Sequence, residues 1–175
     1  SRRESDPIVD RDLFSVLFSR SFTENQANFE GTDHIDFWDI PEQEYHAAET
    51  SINRKLPAIF KSKKGETNFV KGGINADIGG GKFDVVTKAL NKLGVTNLIY
   101  DPFNRSRKHN RRVASQIRGG QADTATVSNV LNVIKEKANR LRVIGQAADA
   151  IKEDGEAYFT VYQDSKKEEG PTGGD

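Results

Sequence analysis

Cysteine is absent from this chain of 175 residues, and so is methionine. Without Cys there is no disulfide framework, no thiolate zinc site and no thiol nucleophile. Net charge is missing too: 26 Lys and Arg offset 26 Asp and Glu, so no global bias draws the chain to nucleic acid or to a membrane. No run approaches the roughly 18 to 20 apolar residues that a membrane span needs. The start, "SRRESDPIVD", carries arginines with no apolar stretch behind them, so it does not read as a secretory signal. A cytoplasmic setting with no membrane partner is the simplest expectation. The three histidines, His34, His46 and His109, show no metal-ligand spacing, and no metal is expected. The start on Ser1 without a Met reads as that of a processed or trimmed piece. The polar, Gly-rich end, residues 164–175, reads as a flexible tail.

What is present is charge laid down in blocks. Between Ser21 and Asn53 there is no Lys or Arg, yet Glu24, Glu30, Asp33, Asp36, Asp39, Glu42, Glu44 and Glu49 all fall there. A basic block follows through Arg105, Arg107, Lys108, Arg111, Arg112 and Arg118. Residues 1–49 read as an acidic, helical or irregular extension. It has a helix through Leu13, Val16, Leu17 and Arg20, a "HIDFWDIP" segment around Trp38 that packs extended or as a strand, and a second helix opening at Pro41.

From residue 50 to 163 the rhythm is that of a core. "GGINADIGG" reads as a strand running into glycines. "FDVVTKALNKLG" is an amphipathic helix stopped at Gly94, and "VTNLIYD" is a second strand. "NRSRKHNRRVASQIRGG" is a polar helix with a thin apolar face, Val113 and Ile117. "ADTATVSNVLNVI" is a third strand ending near Ser128 and Asn129. A helix closed by Asp154-Gly155 and a fourth strand from Gly155 complete the pattern. Such alternation predicts an α/β, Rossmann-like, mainly parallel sheet with helices on both faces.

In such a sheet ligands bind beyond the carboxyl ends of the strands. "DIGGGKFD" lies at that edge, where Gly79, Gly80 and Gly81 allow positive φ and close approach to bare backbone. A plain flexible connection is the simpler reading of three glycines. Against it stands Asp101, about twenty residues on at the end of the second strand, placed to accept ribose hydroxyls. A dinucleotide fingerprint would need glycine where Asp84 stands, and Phe83 replaces the hydroxyl of a P-loop. A cationic adenosine derivative without phosphates, S-adenosylmethionine, suits these residues better.

"NADIGGGKFD", "LIYDPFN", "ADTATVSNVLNVI" and "GEAYFTVYQ" together resemble the nucleotide-binding core of class I S-adenosylmethionine-dependent methyltransferases. More narrowly, they are similar to small methyltransferases of bacteria and their phages with Asp-Pro-Phe/Tyr-Asn after the second strand; a phage-encoded chain would act in the host cytoplasm. The resemblance implies that Asp77, Gly79 and Gly81, with Gly80, line the methionine moiety of S-adenosylmethionine or S-adenosylhomocysteine. It implies that Asp101 holds the ribose, with Pro102 stiffening the turn behind it. Ser128 and Asn129 would face the methyl side, and Ala122 or Asp123 the adenine. The chain stops short of the final strand hairpin of that fold, as if truncated at its C-terminal end.

The acceptor is not legible. The position after the third strand reads "SNVLN", without the proline motif of amino-methylating nucleic-acid enzymes, and cytosine-5 chemistry lacks its Cys. No acid–base pair stands out, so catalytic residues are unassigned; Tyr45 or His46 could cap the site and act as base. The basic helix from Arg105 to Arg118 is a candidate nucleic-acid contact, with Arg105, Lys108, His109 and Arg112 expected on one face. The competing reading is a non-catalytic module that binds S-adenosylmethionine or another nucleoside as a partner or sensor subunit.

Overall fold

A computed structural model describes residues 37–38 and 55–161. The helices expected near Leu13 and from Pro41, the Tyr45 and His46 pair, His34 and the tail after residue 163 lie outside the described residues. Four strands and three helices alternate as the sequence predicts: β1 (Ile74–Ile78), α1 (Val85–Lys92), β2 (Thr96–Tyr100), α2 (Arg107–Ile117), β3 (Ala122–Ser128), α3 (Lys137–Ala150) and β4 (Ile151–Thr160). All strand pairings of this sheet are parallel and the strand order is β2-β1-β3-β4. The chain steps from β1 out to β2 and then crosses back over β1 to β3. The order therefore reverses between β1 and β3, and the crevice of this Rossmann-like sheet opens there. No helix among the described residues is long and apolar enough to cross a membrane.

Side-chain alternation divides the sheet into two unlike faces. Ala76, Ile78, Tyr100, Val127, Ala157 and Phe159 meet α2 and α3 through Val113, Ala114, Ile117, Val143, Ala147 and Ala150. On the other face, Leu90 of α1 packs with Ile59, Phe60, Phe69, Val95 and Tyr158 in a smaller cluster. A single-turn 3-10 helix, Ala58–Phe60, supplies two of these residues.

Phe37 and Trp38 are buried on the α2/α3 face. The Trp38 indole donates to Asp149 Oδ2 at 2.8 Å and its ring meets Tyr100 edge-on at 5.0 Å. Gln146 Nε2 donates to the Phe37 carbonyl at 2.6 Å, and the Tyr100 hydroxyl to that of Trp38 at 3.1 Å. The Phe37 ring lies on the α3 backbone where Gly145 leaves room; a Cβ there would overlap the ring.

One boundary differs from expectation. The last helix stops at Ala150, before Asp154-Gly155, and β4 begins at once with Ile151. Ile151 is buried and pairs with Ala122, while Glu156 pairs with Thr124, so β4 takes five steps where β3 takes two. Gly119 and Gly120 end the helix from outside: their N–H groups bond Asp149 Oδ2 at 3.0 Å and the Asp149 carbonyl at 2.7 Å.

Gly145→Ala separates two opposed effects. Helix propensity alone favours Ala by about 1 kcal/mol, whereas overpacking against Phe37 costs about 1–3 kcal/mol. Urea denaturation should show Gly145→Ala destabilised, and in the Phe37→Ala background the same change should become neutral or stabilising. Equal effects in both backgrounds would refute the contact.

Candidate functional site

The carboxyl ends of the strands carry the loop 79–84, the turn 101–106 and residues 128–130. The three glycines differ in what surrounds them. Gly79, at φ 75°, donates its N–H to the Tyr100 carbonyl at 2.7 Å, and a Cβ there would stand 2.6 Å from Val130 Cγ2. A Cβ at Gly80 would stand 2.6 Å from Asp77 Oδ2 and 3.0 Å from Ile99 Cγ1. Gly81, at φ 87°, has nothing within 4 Å in that direction. Two glycines are thus required by internal packing. Only Gly81 presents bare backbone to open space.

Asp101 is 4% exposed, and its carboxylate is the knot of this edge. Oδ2 accepts the Gly81 N–H at 2.8 Å and the Asn104 side-chain amide at 3.0 Å. Oδ1 accepts the N–H groups of Phe103 at 2.9 Å and Asn104 at 3.1 Å. Pro102 lies half-buried in the same turn. Because Tyr100 faces β1, the peptides of Ile99 and Asp101 point off the free edge of the sheet. There the Asn110 side chain accepts from Asp101 N–H at 2.9 Å and donates to its carbonyl at 3.0 Å, like one residue of a neighbouring strand. His109 Nε2 donates to the Ile99 carbonyl at 2.7 Å.

Arg105 joins the turn to the glycine loop. Its Nε donates to the Gly81 carbonyl at 2.8 Å, and Nη2 to the Phe83 carbonyl at 3.2 Å and Asp84 Oδ1 at 2.9 Å. Arg105 precedes α2 and turns inward, as does His109, so neither belongs to the solvent face of the basic helix where the sequence suggested them. Asp84, which stands where a dinucleotide fingerprint would need glycine, is thereby ion-paired.

Asp77 lies beneath the loop rather than along its open side. It is 2% exposed, accepting from Thr126 Oγ1 at 3.1 Å and from Asn97 Nδ2 at 3.3 Å. Asn75 Nδ2 donates to Asn97 Oδ1 at 2.8 Å and Thr126 Oγ1 at 3.0 Å, and Thr124 donates to Asn75 Oδ1 at 2.7 Å. Asn97 reaches on to Thr87 of α1 at 3.2 Å. Burial pushes the Asp77 carboxyl up to about 6, against the lowering effect of its bonds from Asn97 and Thr126.

Ser128 and Asn129 stand at the carboxyl end of β3, beside Gly79. Thr160 donates to the Ser128 hydroxyl at 3.2 Å, and Asn129, at φ 58°, donates its N–H to the Thr160 carbonyl at 2.8 Å. Asp123 does not join them. It is the second residue of β3, at the amino end of the sheet, about 16 Å from Ser128 at roughly 3.3 Å per residue. There it accepts from Ile74 N–H at 2.8 Å and pairs with Lys152 at 2.9 Å. Burial raises its carboxyl, but those two partners outweigh that and hold it below the ordinary value. Ala122, the residue before it, lies at the same wrong end for a ligand at the glycine loop.

Sequence reading missed Arg105, Asn110 and the Asn75–Asn97–Thr126 ladder. Polar residues at alternate positions of two apolar strands, Asn75 with Asp77 and Asn97 opposite Asn75, were the available signal. Among the described residues no group of three or more His, Asp or Glu could hold a metal ion. Comparison with protein-family models, with curated proteins and with solved structures finds no match.

The raised Asp77 carboxyl has a consequence for stability. Below about pH 4 folded and unfolded chains both carry its proton, and its contribution is fully favourable. As pH rises toward about 6 the unfolded chain releases the proton first, so stability falls, then levels off. The loss is about 3 kcal/mol. Urea midpoints of wild type and Asp77→Asn across that window should show a falling limb in wild type alone. Parallel curves would refute the placement of this carboxylate.

Proposed function

We propose that this chain binds S-adenosylmethionine at the carboxyl edge of its sheet and directs the methyl group to an acceptor. The observation that carries the reading is the pairing of Gly81 with Asp101: open backbone at positive φ, hydrogen-bonded to a buried carboxylate at the next strand end. The backbone at Gly81 faces open space, so a ligand has room to approach it. Three of the four bonds to Asp101 come from backbone N–H groups, and one comes from the rotatable Asn104 amide. A ribose hydroxyl replacing that amide would leave the turn intact. Ser128 and Asn129, beside Gly79, would border the methyl side.

When bound, S-adenosylmethionine supplies an electrophilic methyl group on a sulfonium. The protein then has mainly to align an acceptor atom that is already nucleophilic, which is worth about 7–11 kcal/mol in favourable cases. Three carboxylates in and around the loop, Asp77, Asp84 and Asp101, against two cations, Lys82 and Arg105, suit a cationic ligand. The second reading, a non-catalytic binding module, is favoured by the absence of a group placed as general base among the described residues of this edge. Methyl transfer from labelled donor separates it from the first.

The test is calorimetric titration with S-adenosylmethionine, S-adenosylhomocysteine and NAD in parallel. Binding of the first two without NAD is expected; binding of none would overturn the reading. Asp101→Ala should abolish binding, with loss of the turn as part of the cause. Gly81→Val should weaken it at least about tenfold; a β-branched residue at φ 87° also strains the loop, so its thermal melt is measured alongside. Asn104→Ala should bind as well as wild type or better. Gly79→Val would act through Val130 and the fold, so it is the poorer probe.

A further inference from the structure

The α2 helix is used on one side only. Asn110, Val113, Ala114 and Ile117 are buried against the sheet. Arg107, Lys108, Arg111, Arg112, Ser115 and Gln116 are exposed. The four cations fall at i, i+1, i+4 and i+5, hence on one side of the first half of the helix, over about 8 Å of its axis. No Asp or Glu occurs between Asp101 and Asp123, and none of the four cations is ion-paired among the described residues. In a chain whose charges sum to zero, this face is a concentrated exception.

Its position adds to its charge. The helix starts one residue after Ser106, which caps it by accepting the His109 N–H at 3.1 Å, and two residues after Arg105 of the loop latch. Phe103, in the same turn, is 39% exposed, one of three large apolar side chains with that degree of exposure among the described residues. An aromatic ring at the rim of the site, continuous with an Arg-rich face, is the pairing that single-stranded nucleic acids use: bases stack on the ring while cations follow the phosphates. An anionic membrane surface would need an apolar stripe beside the cations. The apolar stripe of α2 is already spent on the sheet.

We infer that the α2 face, with Phe103, is a docking surface for a nucleic-acid single strand, which it leads toward the carboxyl edge of the sheet. The further step, that this strand carries the methyl acceptor, rests on the proposed donor site. The docking itself does not.

The test is fluorescence anisotropy of the whole chain with labelled oligouridylate and oligothymidylate of about 15 nucleotides, titrated with salt from about 50 mM upward. Four phosphate contacts predict a log–log slope near −2.8 for single strands. Arg107→Glu/Arg111→Glu should weaken binding at least about tenfold and reduce the slope by about 1.4, with an unchanged thermal melt. Phe103→Ala should weaken binding roughly 5- to 150-fold. No binding at low salt, unaltered affinity in the charge-reversed variant, or equal affinity for phosphatidylserine vesicles would each overturn the inference. So would a charge-reversed variant that melts lower and whose wild-type parent ignores oligonucleotide: that result would assign the face to the acidic segment 21–53 of the same chain. S-adenosylhomocysteine calorimetry is independent of these readouts, so failure of the docking surface and failure of the donor site are told apart.

Discussion

One carboxylate organises the carboxyl edge of this sheet. Asp101 accepts four hydrogen bonds that belong to two different loops, and its own peptide is held by Asn110. Each bond to an ionised group contributes about 1.5–3 kcal/mol, and together they offset the cost of burying the charge. The geometry matters more than the sum. With Gly81 tied to Oδ2, the glycine loop cannot move without the turn after β2. Arg105 then closes the circuit by donating back to the loop, and α2 starts where that turn releases it. The position of α2 and the opening at Gly81 are therefore set by the same atoms.

Beneath this edge the sheet uses its faces differently. Toward α2 and α3 it is apolar; toward α1 it carries the ladder of Asn75, Asn97, Asp77, Thr124 and Thr126. A slip of one residue in the pairing of β1 would send Asn75 and Asp77 into the apolar cluster, and the network thus penalises wrong register. The ladder also places a buried carboxylate below Gly80, close enough that Asp101 raises the Asp77 carboxyl and Arg105 lowers it, both less than burial does. The charge of the core and the charge of the loop are coupled through a few ångströms of glycine backbone.

The order of elements was legible because each has a local signal: glycine stops at Gly94 and Gly119, β-branched runs in β2 and β3, and apolar faces at helical spacing. The end of α3 was not. Asp154-Gly155 looks like a helix stop, yet Ile151 gains more from burial beside Ala122 than from another helical turn, a tertiary gain that no window of sequence contains. At the site, the glycines and Asp101 were found from their place at strand ends. Asp123 came from the family resemblance alone; as the second residue of a strand in a parallel sheet it stands at the amino end, away from the loops at the carboxyl edge. Arg105 read as one more cation in a basic run. Its role depends on the loop folding back some twenty residues, which spacing alone does not reveal.

The two charge systems that result lie side by side without cancelling. Around the glycine loop stand Asp77, Asp84 and Asp101, answered by Arg105 and by Lys82 at an exposed position of the loop. Along α2 stand four cations with no carboxylate on the same face. Interaction between unit charges falls from about 4 kcal/mol at 4 Å with an effective dielectric of 20 to much less beyond a screening length of about 8–10 Å. Each region therefore acts mainly on what touches it. A cationic small ligand would be favoured at the loop and a polyanion along the helix, and each would be disfavoured in the other's place. A chain whose charges sum to zero in this way presents two regions of unlike charge next to each other, which a uniformly basic or acidic one could not.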